Sequence, residues 1–205
     1  MYTRQEPPGE PIRGLVTYAI SYATPGGEEI ATALRTLHNG WALGASGMRV
    51  EDLKRWYAER EVTPAPWYLI IQLVQHAFTT GIVPTCARSN TLVLIPKPEP
   101  GQVRGIGLLE PIWKLISAIV NMHLMAGITF HDDLHGFLPA HGTGTACLEA
   151  KLSVQLAYRM GNLLHHVYID FAKAYDSLDH GHTLLLLADY GVSPKMLWLI
   201  STFWD

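Results

Sequence analysis

The run Val167-Tyr168-Ile169-Asp170-Phe171-Ala172-Lys173-Ala174-Tyr175-Asp176-Ser177-Leu178-Asp179-His180 constrains this chain more than any other stretch. Val167 and Ile169 alternate with Tyr168, and that spacing of branched and aromatic residues predicts a strand. The run then turns polar and carries three acids, Asp170, Asp176 and Asp179. An acid at the carboxyl end of a buried strand suits a hard divalent cation. Magnesium takes oxygen ligands in octahedral array, commonly one or two carboxylates plus substrate phosphates. Ala174 and Tyr175 place a small residue and an aromatic ring beside the same spot, a floor for a sugar ring. Read alone, Asp170 serves equally as a capping or turn acid.

With 205 residues, 48% of them hydrophobic and 16% charged, the chain is large and apolar enough for one globular domain with a core. Its net charge of −3, from 15 basic and 18 acidic residues, gives no electrostatic signature of nucleic-acid binding; a groove for phosphates needs a local basic lining. Cys86 and Cys147 form neither a disulfide framework nor a zinc knuckle and are expected as buried free thiols of an intracellular chain. The first residues carry Arg4, Glu6 and Glu10 among prolines and glycine, which does not make a signal peptide. The most apolar window, 105–128, is broken by Glu110, Lys114, Asn121 and His123; it predicts a buried helix and no membrane span.

Residues 1–24 read as a loose Pro- and Gly-rich leader. A helix follows to about His38, with Ile30, Leu34 and Leu37 on one face and Gly40 as stop. Trp41 to Arg49 is a small-residue loop before a helix over Val50 to Tyr57. Trp67 to Thr79 repeats apolar residues at helical spacing and closes at Gly81. Thr91 to Ile95 and Val103 to Leu108 predict a hairpin around Pro96-Lys97-Pro98-Glu99-Pro100-Gly101. Lys97 and Arg104 stand at the two ends of that turn, as solvated loop charges or as a pair able to fold over a triphosphate. A helix from Pro111 buries Ile112, Leu115, Ile116 and Ile119, with His123 on the same face. Thr145 is expected to cap the helix that carries Leu148, Leu152 and Leu156 to Gly161. Further helices are expected over Thr183 to Tyr190 and from Ser193-Pro194. The histidines near the strand ends, and His131 to His135, read as structural or surface groups rather than metal ligands.

Three of these stretches, in this order, resemble reverse transcriptases of the non-LTR retrotransposon and group II intron type. Asp170, Ala174, Tyr175, Asp176 and Ser177 fall on the positions of that family's first catalytic motif. Leu94-Ile95-Pro96-Lys97 with Arg104-Gly105-Ile106 is similar to its Ile-Pro-Lys and Arg-Pro-Ile pair, with Gly105 in place of proline. Gly136-Phe137 through Thr145 resembles its Gly-Phe motif before a helix, without the usual Arg near Leu138. Trp41 to Arg49 is similar to its Ala-Pro-Gly-x-Asp-Gly loop but lacks the Pro and the Asp.

The resemblance implies a helix-rich α+β fold, a partial right-hand polymerase. Residues 25–85 would be N-terminal helices, 86–161 the fingers and 162–205 the start of the palm. It implies RNA-directed DNA synthesis on an RNA template and DNA primer, by two-metal nucleotidyl transfer with magnesium. Asp170 would be the catalytic carboxylate and a metal ligand, with the Phe171 backbone carbonyl as a second ligand. Lys97 and Arg104 would hold the triphosphate of the incoming deoxynucleotide. Ala174 and Tyr175 would lie against its sugar, Tyr175 excluding a 2′-hydroxyl. The family's second catalytic element, an aromatic, any residue and two aspartates, has no counterpart here, since only Asp189 and Asp205 follow Asp179. The 205 residues alone are therefore expected to be inactive, a truncated product or one piece of a longer polymerase. A non-catalytic nucleic-acid-binding remnant and an RNA-templated RNA polymerase are the alternatives.

Overall fold

In the computed structural model, residues 20, 22–98, 101–175 and 177–204 are described. Glu99, Pro100, Asp176, Asp205 and most of the expected leader lie outside that set. The order is α1 (Gly27–Thr36), α2 (Val50–Ala58), α3 (Pro64–Thr80), α4 (Thr85–Arg88), β1 (Asn90–Pro96), β2 (Val103–Leu109), α5 (Pro111–Gly127), α6 (Thr143–Met160), α7 (His180–Asp189) and α8 (Pro194–Ser201). The chain is a helix-rich α+β protein with one two-stranded sheet among the described residues.

It divides into two units: one holds the described residues up to Ile128 together with those from Asp179 on, the other spans Thr129–Leu178. The first unit contains the core. α5 packs on α1 and α3, and α8 closes on α3. Ile30, Leu34, Val74, Phe78, Leu115, Ile116, Ile119, Met196 and Leu199 are essentially inaccessible to water. These residues recur at three- and four-residue spacing, which lines one face of each helix. Proline at the first turn starts α3, α5 and α8, where its missing N–H costs no bond. Gly81 ends α3 in the left-handed conformation (φ 73°), and a Cβ there would lie 2.7 Å from Trp198 Cδ1. Ile20 bridges Val192 in parallel, its N–H donating to the Gly191 carbonyl at 3.2 Å.

β1 and β2 form an antiparallel hairpin in which Ile95 faces Arg104 and Leu94 faces Gly105. β2 runs unbroken through Gly105. Leu92, Val93, Leu94, Ile95, Val103 and Ile106 are all exposed, so the hairpin stands away from the core.

The second unit is built on α6, none of whose residues is buried. Four expectations change here and nearby. Val167 to Ile169 is exposed and irregular rather than a strand, because no strand lies alongside it among the described residues and a ladder needs a partner. Gly142, not Thr145, takes the capping position of α6; Thr145 sits three residues in, and its Oγ1 accepts from the Gly142 N–H at 3.0 Å. α7 starts at His180 rather than Thr183, because Asp179 Oδ1 accepts from the His182 N–H at 2.7 Å and caps it. Cys86 and Cys147 are exposed, not buried; on the single turn of α4 only Ala87 points inward.

Candidate functional site

The hairpin register decides what its two cations can do. Lys97 continues the ladder one residue beyond β1, its N–H donating to the Gln102 carbonyl at 2.9 Å. Side chains alternate along a strand, so Val93, Ile95 and Lys97 share a face with Gln102, Arg104 and Ile106. Lys97 and Arg104 are therefore diagonal neighbours on one face, roughly 7–8 Å apart at their backbones. Neither has an ion-pair partner among the described residues. Both are exposed. A point charge and a planar fork beside each other at the end of a projecting ribbon suit a polyanion with several oxygens.

Asp170, Phe171, Ala174 and Tyr175 belong to the second unit. All four residues are exposed, Tyr175 by 79%. After Phe171 the chain turns: Lys173 has a positive φ of 52°, and its carbonyl accepts from the Ser177 N–H at 2.9 Å. Asp170 and the Phe171 carbonyl are hard oxygen donors of the kind magnesium takes. No group of three His, Cys, Asp or Glu side chains gathers among the described residues, so these two donors do not make a metal centre by themselves.

Sequence reasoning missed two local constellations. In the second unit His135 Nε2 lies 2.5 Å from Glu149 Oε2 and His135 Nδ1 2.9 Å from Thr145 Oγ1, pinning the Gly136-Phe137 loop to α6. That loop holds Phe137 (φ 61°) and Ala140 (φ 62°) in the left-handed region, a conformation that costs non-glycine residues energy. In the first unit Glu110, only 3% exposed, accepts from the Ser46 N–H at 2.8 Å and from Ser46 Oγ at 2.5 Å. Gly44 lies against it so closely that a Cβ would fall 2.6 Å from Glu110 Oε1. One turn on, Lys114 Nζ sits 4.7 Å from the Trp41 ring centroid. Burial pulls the Lys114 pKa below its ordinary value, opposed by the Glu110 carboxylate. Neither cluster follows a helical or strand period, and Ser46 and Glu110 are 64 residues apart, so no periodicity or spacing signals them.

No family model matches the chain. It is similar to three curated proteins of retroelements. One is a transposon TX1 uncharacterized 149 kDa protein of Xenopus laevis, 22% identical over 86% of this chain and 14% of that protein. Another is a retrovirus-related Pol polyprotein from the type-1 retrotransposable element R2 of Bradysia coprophila, 22% identical over 70% of this chain and 18% of that protein. The third is the corresponding polyprotein from the type-2 element R2DM of Drosophila melanogaster, 25% identical over 63% of this chain and 13% of that protein. The matched region is thus a small part, under a fifth, of each relative's length. At this level of identity the chain is a distant relative of retroelement Pol proteins. No helix among the described residues is long and apolar enough to cross a membrane.

Proposed function

We propose that residues 25–205 are part of a right-hand polymerase, with 25–85 its N-terminal helices, 86–161 its fingers and 162–205 the start of its palm, the RNA-directed DNA polymerase of a retroelement of the non-LTR or group II intron type. The observation that carries this reading is the pair of cations, Lys97 and Arg104, on one face of an exposed hairpin. The Pol names of the distant relatives support the same assignment. Lys97 neutralises phosphate charge as a compact ammonium, and Arg104 orients it through paired N–H donors. Tyr175 lies beneath the sugar next to Ala174 and disfavours a 2′-hydroxyl, which selects deoxynucleotides over ribonucleotides. RNA template, DNA primer and deoxynucleoside triphosphates are the partners, and the cellular nucleotide pool places the protein inside the cell.

In the assembled enzyme a primer 3′-hydroxyl attacks the α-phosphorus and pyrophosphate leaves. Asp170 and the Phe171 carbonyl contribute oxygen donors to a magnesium site that needs further carboxylates. Bound magnesium supplies Lewis-acid stabilisation of phosphate charge. The 205 residues lack the adjacent aspartate pair, so on their own they bind but do not polymerise. That no three His, Cys, Asp or Glu side chains gather among the described residues favours a second reading, a nucleic-acid-binding remnant without catalysis.

Titration of the 205-residue chain with dATP in magnesium buffer separates these readings. Saturable binding is expected, weakened about 10- to 150-fold in Lys97→Ala and in Arg104→Ala, the scale of a hydrogen bond to a charged group. Equal dATP affinity in wild type and in the double variant would overturn the polymerase assignment.

A further inference from the structure

A cleft in the first unit has no part in triphosphate binding. Its volume is about 450 Å³, in the range of small-molecule sites, and its walls include Leu37, Trp41, Leu109, Trp113 and Lys114. The lining is apolar except for the Lys114 ammonium and one serine. Trp41 is 41% exposed although it lies on a loop that is firmly held, so its indole is displayed rather than packed away. The holding is specific. Successive positions of α5 and its N-terminal approach divide the work: Glu110 anchors the loop through Ser46, Trp113 forms a wall, and Lys114 lays its ammonium over the Trp41 ring. Trp113 is itself fixed, edge-on to Phe203 with ring centroids 4.9 Å apart.

Two indoles and a cation lining one cleft, the ammonium over the Trp41 ring, match a ligand that is flat and aromatic and carries a negative charge nearby. A nucleobase joined to its phosphate has that chemistry: the π-face stacks on an aromatic ring, and the backbone meets a positive charge. A purely aliphatic partner would gain nothing from the ammonium. We infer that the Trp41–Trp113 cleft is a stacking site for an unpaired base of single-stranded nucleic acid, with Lys114 meeting the adjoining phosphate. The choice of nucleic acid as occupant rests on the polymerase reading above. The cleft lies at the Leu109 end of β2, whereas Arg104 lies five residues away toward the turn, about 17 Å along the strand. The two sites are therefore distinct, and each can be tested without the other.

The probe is a fluorescein-labelled single-stranded oligothymidine of about a dozen nucleotides, within the usual span of one binding fold. Its affinity for the whole chain is measured by anisotropy, alongside dATP binding. Trp41→Ala is expected to weaken the oligonucleotide about 5- to 100-fold, the cost of losing one base–aromatic stack. Trp41→Phe should keep most of the affinity, and an oligomer of abasic residues should bind wild type as poorly as the thymidine strand binds Trp41→Ala. Lys114→Gln should flatten the salt dependence by about one phosphate contact. Binding of dATP should be unchanged in Trp41→Ala. If the oligonucleotide binds Trp41→Ala as well as wild type while dATP still depends on Lys97, the stacking site is refuted and the polymerase reading stands. If Trp41→Ala weakens the strand but dATP is not bound at all, the stacking site stands and the polymerase reading falls. No measurable binding of the strand to wild type refutes the inference.

Discussion

Tyr22 is half-buried against Phe78, ring centroids 5.7 Å apart, and its hydroxyl is buried with no hydrogen-bond partner among the described residues. Burial pushes its pKa up from 10.0 to about 12. Between those values the unfolded chain releases a proton that the folded chain keeps. The unfolded state then binds fewer protons, so stability falls as pH rises through that window and is fully present below it. A shallower decline of the urea midpoint from pH 10 to 12 is expected for Tyr22→Phe than for wild type. Because the buried hydroxyl has no hydrogen-bond partner among the described residues, its removal should also raise stability at neutral pH, by up to about 1 kcal/mol. Identical alkaline profiles for the two proteins would show that Tyr22 ionises as freely in the folded chain as in the unfolded one.

At the scale of elements, the helices differ in what holds them. α5 buries Leu115 completely, whereas Leu152 of α6 is 54% exposed. Leu115→Ala should therefore cost about 2–5 kcal/mol, and Leu152→Ala less than about 0.5 kcal/mol, in equilibrium urea unfolding. Comparable losses would mean that α6 is packed in solution. The same contrast explains what could be read from sequence. α3 and α5 were legible because apolar residues at helical period, an opening proline and, for α3, a closing Gly81 all agree within one segment. The hairpin was legible because proline and glycine punctuate two apolar runs, and its register put Lys97 and Arg104 on a common face. The Val167 to Ile169 strand was misread because strand propensity states a preference that only a distant partner can satisfy. Asp179 reads as one of three motif acids, yet its side chain caps α7, a role that needs only the next three residues. The Glu110–Ser46 bond and the Trp41 cleft were illegible, since 64 residues separate the bonded pair.

For the whole molecule, the expectation is that purified residues 1–205 extend no primer on an RNA template, with or without magnesium. Extension that disappears in Asp170→Ala would show that the 205 residues complete a catalytic centre. The division into two units bears on a different matter, the order in which the protein is made. The first unit is interrupted: its opening part ends at Ile128, and α8, which supplies Met196 and Leu199 to the same core, is encoded only after the second unit. Roughly 65 residues separate the two, about 3–13 s of translation at ordinary speed. During that interval the nascent α3 lacks the helix that covers one of its sides. The closing of this core thus waits for the time the ribosome takes to read the second unit and α7, and a chaperone that shields apolar helix faces has its natural moment there.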